Sequence, residues 1–358
     1  MKVLIVGAGP AGLALAYLLK KSDPKHSIRV IERHKINESV GSGITLSPLS
    51  LKDLDYELNL HKELRVTSIS YEGQNYLETP VKIIAIARDA LLKFLREQCF
   101  SIGVDLQYNN QLKNLADVNL SSFDLIVGAD GVNSLIRKSF SEYFCPTLVR
   151  STLKHAWLAT SKLFGQRLVN MFQASNGVLL NAWAYQYSDS LASFILECTS
   201  SGLKKSGLEG LSHSATCNRI AHIFENELEG HPVIAATDFR WNSFKLLKNK
   251  SWHYQNVVII GDAAHTTHFS KGYGTVLAIC DAICLTKHLI TNSNISAALQ
   301  SFEKERRPEI ELHQSRSASS LKWYETVLRL YESGSTSAVI DAIILTQRDI
   351  DFSDLKLH

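Results

Sequence analysis

A chain of 358 residues with 45% hydrophobic and 20% charged residues has the balance of a globular protein, and its length allows two or three domains. Its 38 basic and 35 acidic residues leave a net charge of +3, too weak a field to hold a polyanion, so nucleic acid is not an expected partner. Six cysteines, at 99, 145, 198, 217, 280 and 284, make no CxxC pair and no zinc spacing; no metal site is expected, and the usage fits a reducing cytosol.

The first element is a short buried strand, Lys2 to Val6, followed by a helix pattern from Ala11 to Lys21 and a second strand from Ile28 to Glu32. Near-continuous apolar strands on either side of a helix are the opening of a parallel sheet. No basic and apolar leader pattern precedes them, and no run reaches about 18 uninterrupted apolar residues. A cytoplasmic protein with no membrane partner is therefore expected. Arg88 to Phe100 reads as a helix, with Leu91, Leu92 and Leu95 at helical spacing, and Phe123 to Val127 as another buried strand.

From Thr152 to Cys198 the texture changes to alternation, as in Val178 to Tyr185, which predicts an antiparallel sheet with one covered face. Val257 to Ile260 returns to the buried-strand type and leads into a helix from Gly274 to Leu289. Cys280 and Cys284, four apart there, read as small apolar core residues. The last third is helical, Ile295 to Arg306 and then Pro308 to Tyr331, with the proline marking the break.

Gly7-Ala8-Gly9-Pro10-Ala11-Gly12 follows a strand and opens a helix, the arrangement in which free backbone N–H groups receive a pyrophosphate. Glu32 lies 20 residues after Gly12 at the end of the second strand, where an acid can accept from ribose hydroxyls. These two features point to a dinucleotide without separating FAD from NAD. Two later segments bear on that choice: Gly128-Ala129-Asp130-Gly131, after a strand, and Gly261-Asp262, which leads through His265, His268 and Phe269 to Gly272 and Gly274. An Asp just beyond a strand suits the sugar hydroxyls of an extended dinucleotide. The Gly272/Gly274 pair lets backbone N–H groups at a helix start approach a flat anionic ring.

With these three motifs in this order, the sequence resembles the class A flavoprotein monooxygenases, the para-hydroxybenzoate hydroxylase-like group, over nearly its whole length. His268-Phe269-Ser270, Glu303-Lys304-Glu305-Arg306-Arg307-Pro308 and Ser320-Leu321-Lys322-Trp323-Tyr324-Glu325 resemble one branch, the aryl-CoA hydroxylases and the violacein-pathway tryptophan-derived hydroxylase. Two departures stand out. Phe269 occupies a position where the family usually has Pro, and Trp183 one where the branch tends to have His.

The resemblance implies an α/β fold: a discontinuous Rossmann-like FAD-binding domain, an inserted, mostly antiparallel β substrate domain, and C-terminal helices. The expected division gives 1–70, 85–150 and 251–290 to FAD binding, 71–84 and 151–250 to the substrate domain, and 291–358 to the helical region. It also implies non-covalent FAD, with NADPH or NADH as co-substrate, and O₂ activation as a flavin C4a-hydroperoxide that hydroxylates an electron-rich ring, either an indole or tryptophan-derived compound or an aryl-CoA thioester. The resemblance implies FAD-binding roles for Arg88, Asp130 and Asp262; with the motif residues, the full set of candidates for the cofactor is Gly7, Gly9, Ala11, Gly12, Glu32, Arg33, Arg88, Asp130, Asp262, Gly272, Gly274 and Thr275.

For the chemistry, His268 is the candidate acid-base group, because it lies between two flavin-binding segments. Trp183, Tyr185 and Tyr187 alternate on one strand face and are candidates for an aromatic wall, with Phe269 as a further substrate contact. His155 and Trp157 are weaker versions of the same idea. The expected partners are a small aromatic substrate and O₂, in a monomer or homodimer. A halogenase is the nearest alternative, but the WxWxIP segment of those enzymes is not found here. A flavin-binding partner without turnover is the second, and the intact Asp130 and Asp262 argue against it.

Overall fold

In the computed structural model, the described residues are 1–36, 43–47, 54–55, 61–236, 239–268 and 272–345. Phe269, expected at the substrate, lies outside them.

Two sheets organise the described residues. Six strands form the first, in the order His253–Tyr254, Val257–Ile259, Leu125–Gly128, Lys2–Val6, Ser27–Ile31 and Asp105–Gln107. All are parallel except the edge pair His253–Tyr254 with Val257–Ile259. The central strand Lys2–Val6 is apolar because both of its faces are covered; Val3, Leu4 and Ile5 are fully buried. The strand–helix–strand opening read from the sequence is present, with the helix at Pro10–Ser22. Pro10 sits in its first turn, where a missing N–H costs nothing.

Nine strands form the second sheet. Val233–Ile234, Pro146–Thr160, Ala192–Thr199, Val178–Gln186, Arg167–Ser175, Lys62–Tyr71, Gln74–Ala87 and Gly43–Leu46 follow one another, and Asn242–Asn249 adds to Pro146–Thr160. Pairing is antiparallel except between Lys62–Tyr71 and Arg167–Ser175. Gly43–Leu46 and Lys62–Tyr71 thus join this sheet ahead of the 71–84 stretch that the sequence assigned to it.

The helix Gly274–Thr291 has the length and composition to cross a membrane, but its residues Val276–Thr286 are almost all buried, packed against Pro10–Ser22 and the C-terminal helix. Here it serves as a core helix.

The break expected at Pro308 does not occur. Ile295–Glu332 is one helix of 38 residues with Pro308 inside it. The lost backbone bond costs about 3 kcal/mol, and side chains around the proline counter it. Glu303 accepts from Trp252 N at 2.9 Å and from His253 Nδ1 at 2.8 Å. Arg306 donates to Asp281 at 2.9 Å, and the Arg307 guanidinium stacks over the Trp252 ring at 5.0 Å.

Candidate active site

The glycine motif separates into three physical roles. Gly7 has φ +106, and a Cβ there would lie 2.4 Å from Ala129 O; a Cβ on Gly12 would lie 2.0 Å from Gly7 O. These two glycines let the turn pack on itself. Gly9 is different: nothing lies within 4 Å of its missing Cβ, because it faces open space.

That space is the meeting point of two cavities. One, of about 940 Å³, is lined by Gly7, Gly9, Glu32, Arg33, Arg88, Asp130 and Lys138 among others. The other, of about 530 Å³, runs from Gly9, Ala11 and Arg88 past Asp262, Gly272, Gly274 and Thr275 to Trp157, Trp183 and Tyr185 on the larger sheet. Gly9, Arg88, Ala129 and Gly131 line both. Eleven of the twelve residues expected to bind the cofactor line one or both of these joined cavities; Gly12 lines neither and serves packing instead.

Arg88 opens the helix Arg88–Ser101. Burial lowers its pKa, while the carboxylates of Asp262 and Glu32 pull it up. A desolvated guanidinium between two carboxylates, where the two cavities join, is suited to receive an anion. Glu32 is committed at the loop: its two oxygens accept from Ala8 N at 2.8 Å and His34 N at 2.9 Å. Arg33 is exposed, with its Nε 3.0 Å from His34 Nε2.

Asp130 Oδ2 accepts from Leu135 N at 2.5 Å and Ile136 N at 3.3 Å, whereas Oδ1 is buried and has no hydrogen-bond partner among the described residues. Burial raises this carboxyl's pKa over the opposing bonds from Ser134, Leu135 and Ile136. Asp262 keeps solvent access through the slot, yet enough protein surrounds it for desolvation to raise its pKa against His265 and Arg88. The orphaned Asp130 oxygen, the open face of Gly9 and the Arg88 guanidinium, which line one cavity, fit the hydroxyls and pyrophosphate of FAD.

The residues bracing this slot were not found from the sequence. Asp281 is fully buried and accepts from Gly261 N at 2.9 Å, His265 Nε2 at 2.7 Å and Arg306 Nε at 2.9 Å. Desolvation would raise its pKa, but His265 and Arg306 outweigh that and hold it low. The turn carrying Asp262 is thereby tied to two helices. A lone Asp in the apolar run Val276-Leu277-Ala278-Ile279-Cys280-Asp281-Ala282 was the available signal.

On the larger sheet, Trp183 and Tyr185 line the cleft, along with Leu168, Ile195 and Trp157. Tyr187, on the same strand face, packs on Gly43 instead, and Tyr185 donates its hydroxyl to Gly43 O at 2.8 Å. His155 lines the cleft; burial and the neighbouring His268 push its pKa down to about 4.

His268 is not where the sequence reading put it. Its side chain is 2% exposed and is absent from the cleft-lining residues described; its Nε2 lies 3.0 Å from Glu197 Oε1 and its ring meets Phe244 edge-on at 5.0 Å. The reason is Glu197, a carboxyl only 3% exposed in the sheet, which needs a donor and draws the imidazole to it.

A family model described as FAD binding domain matches residues 112–317, more than half of the chain, and one described as NAD(P)-binding Rossmann-like domain matches residues 5–37. Protodeoxyviolaceinate monooxygenase of Chromobacterium violaceum is 32% identical over 336 residues, covering 91% of this chain and 90% of that protein. The chain belongs to the class A flavoprotein monooxygenases. Salicyloyl-CoA 5-hydroxylase of a Streptomyces species is also 32% identical, over 346 residues, covering 91% of this chain but 65% of that longer protein. Among solved structures, a tetrameric form of 2-methyl-3-hydroxypyridine-5-carboxylic acid oxygenase superposes with a TM-score of 0.74 at 19% identity, covering 95% of each chain, a likeness of fold. This flavoprotein monooxygenase is an enzyme that uses FAD with a reduced nicotinamide and O₂ to hydroxylate an aromatic compound.

Proposed function

We propose that the enzyme hydroxylates an electron-rich ring of the indole or tryptophan-derived kind, held against Trp183 and Tyr185. The observation that carries this reading is the apolar, aromatic end of the 530 Å³ cleft, which opens from the dinucleotide slot at Arg88. Among the described lining residues, the charged side chains are Arg88 and Asp262, both at the cofactor end. An aryl-CoA thioester is the second reading, favoured by the salicyloyl-CoA 5-hydroxylase likeness.

In this proposal Glu32 and Arg33 hold the adenosine end of FAD, the helix start at Gly9 and Ala11 faces the pyrophosphate while Gly12 lets the turn pack behind it, and Arg88 neutralises the pyrophosphate. Asp130 Oδ1 and Asp262 accept from sugar and ribityl hydroxyls. Gly272, Gly274 and Thr275 bring the positive end of the helix Gly274–Thr291 to the ring system. Bound FAD supplies hydride acceptance from NADPH or NADH and activation of O₂. The chain's own work is to orient the aromatic substrate and keep water out of the cleft. We take the protein to act in the cytoplasm as a monomer or homodimer.

The test is oxidation of NADPH and NADH in the presence of tryptophan-derived indoles and of aryl-CoA thioesters. The expected result is slow oxidation alone, acceleration by one class, and oxygenated product in step with NAD(P)H. Equal rates with every aromatic, always with stoichiometric H₂O₂, would overturn the proposal. FAD should leave the denatured protein intact, without covalent attachment.

A further inference from the structure

Thr266, Thr267 and His268 run along the strand Asn242–Asn249, and their side chains are used unequally. Thr266 Oγ1 donates to Lys245 O at 2.5 Å and accepts from Leu247 N at 2.8 Å. His268 turns to Glu197. Thr267, between them, is 6% exposed and lines the aromatic cleft, and its Oγ1 is buried without a hydrogen-bond partner among the described residues. A buried hydroxyl left in this state is costly, and a native structure rarely tolerates it without a ligand or water to complete it.

The cleft around it is short of polar groups. Beyond the cofactor end, the other polar side chains lining it include His155 and Asn242, which face each other across the strand pair. Burial keeps the His155 imidazole neutral at ordinary pH, so this end presents hydrogen-bonding atoms without charge. Electrophilic hydroxylation needs a ring activated by an electron-donating substituent, and N–H and O–H groups are such substituents.

We infer that Thr267 is a specificity-determining residue whose hydroxyl accepts the single uncharged N–H or O–H of the substrate ring. The inference rests on the aromatic reading above and adds to it the group that the cleft recognises. A carboxylate or ammonium on that part of the ring would find no counter-charge among the described residues.

The probes are two pairs that differ by one methyl cap, indole against 1-methylindole and phenol against anisole, titrated into the holoenzyme while the visible spectrum of the flavin is followed. The wild type should prefer the uncapped member of each pair by about tenfold, the size of one hydrogen bond lost at a buried site. Thr267→Val and Thr267→Ala should bring both preferences close to unity, and Thr267→Ser should retain them. Dividing the wild-type ratio by each variant's ratio cancels the bulk of the added methyl, which is common to both proteins. A preference that survives in the valine and alanine variants overturns the inference. If Tm also rises, the hydroxyl is only an orphan in the wall; if FAD is lost, it contacts the cofactor. Four ligands binding the wild type equally would refute the Thr267 role while sparing the aromatic reading. Failure of all four to perturb the flavin would remove both.

Discussion

His265 Nε2 lies 2.7 Å from Asp281 Oδ2, with the two side chains 3% and 0% exposed. This contact ties the loop that carries Asp262 to the core helix Gly274–Thr291, and Arg306 extends it to the C-terminal helix. Replacing Asp281 with Ala leaves Gly261 N, His265 and Arg306 without their shared acceptor. Breaking a buried ionic cluster on one side costs about 3–5 kcal/mol. The Asp281→Ala variant should purify with reduced FAD content and a lowered Tm, with Asp281→Asn in between. Full FAD occupancy at wild-type Tm would show that the turn holds its shape unaided.

Glu32 has two tasks: bracing Ala8 N and, in the proposal, accepting from ribose hydroxyls. Glu32→Lys removes both and adds a cation. Hydrogen bonds to a charged group are worth about 1.5–3 kcal/mol, so FAD should bind about 10- to 150-fold more weakly. Fluorescence titration of the apoprotein with FAD measures this; unchanged affinity would reduce Glu32 to a loop brace.

His155 makes stability depend on pH in a defined window. Unfolded, it takes up its proton near 6.5; folded, burial and His268 lower that to about 4. Between these values the unfolded chain binds more protons, so stability from this residue is present above 6.5 and falls as pH drops toward 4, by up to about 3 kcal/mol. Denaturant unfolding of the wild type and His155→Gln across pH 4–7 should show a shallower slope in the variant. Identical slopes would mean that the imidazole is hydrated in the cleft.

His268→Ala should behave as the loss of a buried partner rather than of a catalytic base. Glu197 would be left unpaired at 3% exposure, at a cost of about 2–5 kcal/mol. Tm should fall, and adding Glu197→Gln should restore part of it. Product per NAD(P)H in the surviving holoenzyme should be unchanged. A collapse of coupling at intact stability would return His268 to the reacting atoms.

Much of this was legible from residue order, because local physics governs it. The buried strand Lys2–Val6, the glycine turn and the helix behind it follow from spacing and backbone sterics, and the turn's open N–H groups follow from the helix start. Alternation along Val178–Gln186 likewise placed Trp183 and Tyr185 on one face. What a side chain does on that face depends on what arrives from elsewhere. Tyr187 shares the face but meets Gly43, more than 140 positions away, and His268 is claimed by Glu197, 71 positions away. Proline signals a break by local rules, yet Arg306 and Arg307 reach partners in distant segments that hold the helix through Pro308. Asp281 was visible only as an acid in an apolar run; its three donors come together only when three segments pack. Spacing and composition determined most of the dinucleotide slot, since Gly7, Glu32, Arg88, Asp130 and Asp262 each lie within a few residues of a strand end. The tertiary structure decided which polar side chains face the cleft, because burying a carboxyl such as Glu197 or Asp281 obliges the fold to bring it partners, whereas Thr267 Oγ1 has none among the described residues.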